Sequence, residues 1–181
     1  MKPDLDMTLA LLERGPAAFD ALLHTLPEPL TTCTEGEDSW SPRYVVAHLL
    51  YCERVDWMRR VRSILEHGEL KTFEPLDREG GREQLKAMKV AELLNEFAAV
   101  RQGNLKELRA LHLQPTDLER TGKHPAFGIV TLGQLLATWA THDLTHLHQV
   151  SRVLARQYDK EVGPWKRYLG VLHCEGHSER D

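Results

Sequence analysis

Leu5, Leu9, Leu12, Phe19, Leu22, Leu23 and Leu26 recur at three- and four-residue intervals, the period of a helix with one apolar face. Gly15-Pro16 falls inside this run, so the pattern predicts a first helix that is broken or kinked there and ended by Pro27 and Pro29. The polar stretch Thr31 to Asp38 reads as a loop. Ser41-Pro42 then marks a helix start, because serine caps free amides and proline loses nothing at the first helical position. Val45, Val46, Leu49, Leu50, Cys52, Trp57, Val61, Ile64 and Leu65 give this second helix a wide apolar surface that runs to Gly68.

Gly68 to Gly81, with Pro75 and a Gly-Gly pair, is a long connection. A third helix follows on Leu85, Met88, Leu93, Leu94, Phe97, Val100, Leu105, Leu108 and Leu111, with Glu92, Glu96, Arg101, Lys106 and Glu107 as its wet face. Leu113 to Val130 holds Pro115, Gly122, Pro125 and Gly128, which suits brief extended pieces but no sheet. Thr131 caps a fourth helix built on Leu132, Leu135, Leu136, Trp139, Leu144, Leu147, Val150, Val153 and Leu154 and ending near Gln157. Gly163-Pro164 starts a short last helix through Leu169. The expected fold is all-α, an antiparallel four-helix bundle with a long crossover connection and a short C-terminal helix. Residues 1–181 read as one domain, with a mobile tail over about 173–181.

Composition narrows the class. With 41% apolar and 28% charged residues over 181 positions, the chain buries enough surface to need no disulfide framework. Cys33, Cys52 and Cys174 form no CxxC pair, which suits a reducing compartment and excludes a cysteine zinc module. Met1 to Gly15 carries Asp4, Asp6 and Glu13 and lacks a signal-peptide pattern, and no run approaches the ~20 apolar residues of a membrane span. A cytoplasmic location is expected. Net charge is -4, and Arg54, Arg59, Arg60 and Arg62 are interleaved with Glu53, Asp56 and Glu66, so no nucleic-acid face is expected.

Candidate chemistry lies in the histidines. His142 and His146 are four residues apart, about 40° around a helix, and face the same way, whereas His148 is about 200° from His146. His48 sits in Val45-Val46-Ala47-His48-Leu49-Leu50, where an unpartnered imidazole is costly to bury. Read alone, it is first a core histidine with a backbone or hydroxyl hydrogen-bond partner. Two bundle helices with inward histidines can bring His48, His142 and His146 to one divalent metal ion with a fourth position open. Such an ion acidifies bound water or holds a thiol as thiolate.

Asp38-Ser39-Trp40-Ser41-Pro42 leading to Ala47-His48-Leu49, then Trp139-Ala140-Thr141-His142-Asp143-Leu144-Thr145-His146 with Gln149-Val150, resembles the DinB/YfiT-like family. Gly122-Lys123-His124-Pro125 and Tyr168-Leu169-Gly170-Val171-Leu172 extend the resemblance over almost the whole chain. It implies a zinc or nickel ion on a histidine triad, a small-molecule substrate and frequent homodimers. Similar proteins include S-transferases and an isomerase that use a low-molecular-weight thiol, and metal-dependent hydrolases. The leading expectation is a thiol-dependent S-transferase or isomerase. The alternatives are a hydrolase using metal-bound water and a non-catalytic metal-binding or stress-related bundle.

Helical geometry adds Tyr44, Cys52, Trp139 and Gln149 as pocket candidates beside the ligands, with Thr138 on the same stripe. Cys52 reads first as a packing residue and only then as a further ligand. Asp143 either orients His142 or holds another helix or a surface arginine, and Glu53 is excluded as a base because it points about 140° from His48. His124, His148, His173 and His177 read as turn, surface or tail residues, and Trp40, Trp57 and Trp165 as packing residues. Arg43, Arg54 and Arg152 are candidate rim cations for a carboxylate-bearing cofactor.

Overall fold

The computed structural model describes residues 4–37, 39–77, 85 and 87–174. Six α-helices lie wholly among the described residues: α1 (Leu5–Leu23), α2 (Glu28–Thr32), α3 (Pro42–Val55), α4 (Trp57–His67), α5 (Val90–Ala110) and α6 (Leu132–Arg156). The sequence signals for helix starts act as expected. Asp4, Ser41 and Thr131 accept hydrogen bonds from Met7, Tyr44 and Gln134 amides respectively, each satisfying a free amide of the first turn.

The fold is a four-helix bundle made by α1, α3 continued by α4, α5 and α6. Helix α3 packs on α5 and α6, and α1 packs on the same two from the other side. Contacts between the helices fix their directions. Phe19 meets Phe97 while Glu13 meets Arg109, so α1 and α5 are antiparallel. Glu53 meets Arg101 while Arg62 meets Glu107, so α3–α4 and α5 run parallel. Parallel neighbours cannot be joined by a tight turn, which is the physical reason for the long crossover after Gly68.

Three local expectations are corrected. Helix α1 is one continuous helix with Pro16 inside it, not two pieces. Proline has no N–H for the Leu12 carbonyl one turn earlier, but Arg101 Nη1 of α5 donates to that oxygen at 2.8 Å. Gly15 is needed at the same point: a Cβ there would stand 2.1 Å from Asp143 Oδ2. The second helix, expected unbroken to Gly68, is interrupted at Asp56, whose φ of -116° departs from helical values. The buried Asp56 carboxylate is held by Arg60 Nε at 2.7 Å. The segment read as loop from Thr31 contains the end of the short α2.

The third helix starts later than its apolar pattern, at Val90 after Lys89. Arg101, assigned to its wet face, is 2% exposed. Residues 113–130, expected to form no sheet, contain an antiparallel hairpin of β1 (Thr121–His124) and β2 (Gly128–Thr131), in register Thr121↔Thr131 to His124↔Gly128. Its three-residue turn, 125–127, leads into Gly128 at φ +72°, a left-handed value that glycine adopts without steric cost. Phe73 N donates to Lys123 O at 2.8 Å, and a Cβ on Gly122 would clash with Ile64 and Phe73, so tertiary packing stabilises these short strands. The last expected helix is a 3-10 turn, Gly163–Tyr168. The Gly80-Gly81 pair, His177 and most of the expected mobile tail lie outside the described residues. No helix among the described residues is long and apolar enough to cross a membrane.

Candidate metal centre

His48 projects from α3, and His142 and His146 from adjacent turns of α6, into one point between the helices. His142 Nε2 lies 3.3 Å from His48 Nε2 and 3.2 Å from His146 Nε2. Their three ligand atoms all fall within 4.8 Å of one another. Nitrogens about 2.0–2.1 Å from a tetrahedral zinc are spaced about 3.3 Å apart, so the two close separations suit a common ion.

The hydrogen bonds support the same reading. His146 Nδ1 lies 2.8 Å from Gln149 Oε1, and an amide oxygen only accepts, so Nδ1 carries the proton and Nε2 keeps its lone pair for the centre. The buried Nδ1 of His142 has no partner among the described residues. Burial pushes His142 well below the usual imidazole range, and the neighbouring His146, His48 and Arg101 push the same way. Burial also lowers His146, opposed in part by Gln149. Neutral imidazoles with convergent lone pairs are the form that binds a divalent cation.

Aromatic side chains enclose the triad. Trp40 stacks on His146 with centroids 5.9 Å apart and planes 7° apart, lies 4.9 Å from His48, and takes Tyr44 edge-on at 4.6 Å. The Trp57 ring meets His142 at 5.2 Å. Cys52 Sγ is 3.6 and 3.9 Å from the two ring nitrogens of His48, lying over the ring instead of joining the convergent atoms. Trp139, a candidate for the pocket wall, is fully buried: it stacks on Trp57 and donates from Nε1 to Glu53 Oε1 at 2.7 Å. Gln149 holds His146 from behind, and Thr138 is exposed and bonded to the Gln134 carbonyl.

Behind the triad lies a buried ionic cluster. Arg101 forms a bidentate pair with Asp143, at 2.7 and 2.9 Å, and donates to Glu53 at 2.8 Å. Asn104 Nδ2 donates to the second Glu53 oxygen at 2.8 Å. Burial opposes charge on Arg101, but the two carboxylates outweigh it and hold the guanidinium above its ordinary range. Asp143 therefore holds another helix through a buried arginine, and Glu53 is occupied in the same cluster.

A second anchor fixes the loop that carries Trp40. Arg152, expected as a possible rim cation, is 1% exposed and clamps Glu35 with bonds of 2.7 and 2.8 Å. Arg54 is spent on an exposed pair with Glu96. His124 belongs to the hairpin turn, its Nδ1 accepting from the Ala126 and Phe127 amides. Trp40 and Trp57 both border the triad although the sequence reads them as packing residues, and Trp40 is the one that reaches it from a loop. Its position two residues before the Pro42 start of α3, on the His48 side of the bundle, was the available signal.

These features define a helical bundle with an inward histidine triad. The DinB superfamily pattern matches residues 11–150, and the chain belongs to that superfamily. It is 26% identical over 163 residues to a protein of Halalkalibacterium halodurans, covering 84% of this chain and 88% of the relative. It is 27% identical over 127 residues to one of Oceanobacillus iheyensis, covering 65% and 67%. Both relatives are provisionally named metal-dependent hydrolases. YfiT from Bacillus subtilis, described as having an unusual four-helix bundle topology, superposes with a TM-score of 0.72 at 20% identity, over 87% of this chain and 93% of its own.

Proposed function

We propose that the chain is a metal-dependent hydrolase of small molecules whose divalent ion is held by His48, His142 and His146. The observation that carries this reading is the convergence of three Nε2 atoms, with Gln149 fixing the ligating tautomer of His146. The ion, zinc or nickel, would supply Lewis acidity at a position left open by three protein ligands. Around it, Trp40 and Trp57 limit water, and Tyr44, edge-on to Trp40, is a candidate proton donor to a leaving group. The names of the two relatives favour hydrolysis as the reaction class.

A thiol-dependent S-transferase or isomerase is the second reading, favoured by one observation: Glu53 and Asp143 are both engaged by Arg101. Neither carboxylate is left to act as a base, and a thiol held as thiolate needs none. Metal analysis of the purified protein, followed by assays on an ester and amide panel with and without low-molecular-weight thiols, separates the readings. Hydrolysis without thiol, lost in His142→Ala/His146→Ala, supports the first; turnover only with thiol supports the second. Absence of bound metal, or equal activity in the double variant, overturns both.

A further inference from the structure

A cavity of about 250 Å³ opens between the start of α3 and the loop before it, with Trp40 as one wall. The same indole packs on His48 and His146, so the cavity adjoins the triad. Its lining among the described residues carries a single formal charge, Arg43, and no carboxylate. Arg43 is half-buried and has no ion pair among the described residues. The larger cavity, about 480 Å³, is the useful contrast: its Arg59 and Arg60 are paired with Glu74 and Asp56 on its own wall. That cavity neutralises itself, whereas the smaller one keeps a partly desolvated cation with no counter-ion among the described residues.

Other donors and surfaces complete the smaller cavity. Ser41 Oγ accepts from the Tyr44 amide, which leaves its own hydrogen free to donate. Trp40, Ala47 and Leu85 give it apolar walls. The Trp40 loop is fixed by the buried Arg152–Glu35 pair and by Gln157 Nε2 donating to the Thr34 carbonyl at 3.1 Å.

We propose that this cavity is a substrate subsite for a carboxylate attached to a small apolar body, with Arg43 as counter-ion and Ser41 as a second donor. A guanidinium binds a carboxylate through paired, charge-assisted hydrogen bonds, and an apolar chain beside it would lie against Trp40. Arg43 is five residues before His48, about 7.5 Å along the helix and about 140° round it, so the subsite reaches the triad by way of Trp40, which lines the cavity and packs on His48 and His146, and that is where a bound molecule would meet the metal site. That catalytic meaning rests on the metal-site reading, but the binding does not.

The test is titration calorimetry of the full chain with 3-phenylpropionate and its neutral isostere 3-phenylpropionamide, before and after chelation of metal. The Trp40 indole N–H signal in NMR provides the location. The expected result is at least about tenfold tighter binding of the carboxylate, kept after chelation, reduced to within about twofold of the amide in Arg43→Gln and partly restored in Arg43→Lys. Binding without preference for the carboxylate, or no binding of either, overturns the proposal. So does a preference that chelation removes and Arg43→Gln keeps, because the carboxylate would then be a metal ligand. A protein without metal that still shows the Arg43-dependent preference fails the metal reading and leaves the subsite standing.

Discussion

Gln149 shows how one uncharged side chain decides which nitrogen of a histidine faces the triad. By accepting from His146 Nδ1 it holds the ring in one orientation and one tautomer. Partners behind a ligand commonly contribute 10–100-fold in metal affinity, so Gln149→Leu is expected to weaken zinc binding by about tenfold with little change in the melting of the metal-free protein. Competition with a chromophoric chelator measures it, and an unchanged affinity would remove Gln149 from the site. The pH response is also set at this scale. Burial disfavours protonation of His142 and His146 in the folded protein, so below about pH 6.5 the unfolded chain takes up protons first. Their contribution to metal-free stability is therefore intact above that value and is lost as the pH falls toward the depressed folded values. Thermal melts from pH 7.5 downward, compared between wild type and His142→Asn, should show the shallower decline in the variant.

At the scale of elements, the Gly15-Pro16 pair joins three helices. Pro16 frees the Leu12 carbonyl, Arg101 fills it, and the missing Cβ of Gly15 leaves room for Asp143. Gly15→Ala is expected to cost about 2–4 kcal/mol in urea unfolding through the forced displacement of a buried carboxylate. Arg101→Met leaves Glu53 and Asp143 without their cation and should cost about 3–5 kcal/mol in the same experiment. The reason these features were not legible from local pattern is physical. A proline in a helical run signals a break unless another element supplies the missing donor, and an arginine signals solvent unless carboxylates from other helices surround it. Ser41, Thr131 and the helical stripes were legible because capping and amphipathic period are local properties. The hairpin was legible only in part: Ile129, Val130 and Thr131 favour a strand, but the pairing strand carries Gly122 and depends on Phe73 and Ile64 for its place. Of the site, the shared direction of His142 and His146 follows from spacing alone, while Trp40 approaches them through a loop whose path depends on the distant Arg152.

For the whole molecule, the core and the candidate metal centre contribute separately. Buried apolar residues such as Phe19, Leu50, Phe97 and Val150 hold the helices together, and the triad adjoins this core through Trp40. Removal of metal is therefore expected to leave the helical circular dichroism in place while lowering the melting temperature. Free metal at about 100 times its dissociation constant stabilises the folded state by about 2.7 kcal/mol, or about 5–10 °C for a chain of this size. A melt that does not respond to chelator would argue against a tightly bound ion.

His48 and His142 are 94 residues apart in the chain. An ion shared between them would be a removable cross-link that closes a loop of just over half the protein, and chains that close so long a loop lose much of their freedom when disordered. Dissociation of the ion would open that loop without breaking a covalent bond. The metal supply would thereby set how readily α3 and α6 part, and amide exchange in those two helices should quicken on chelation before it does in the outer turns of α1 and α5.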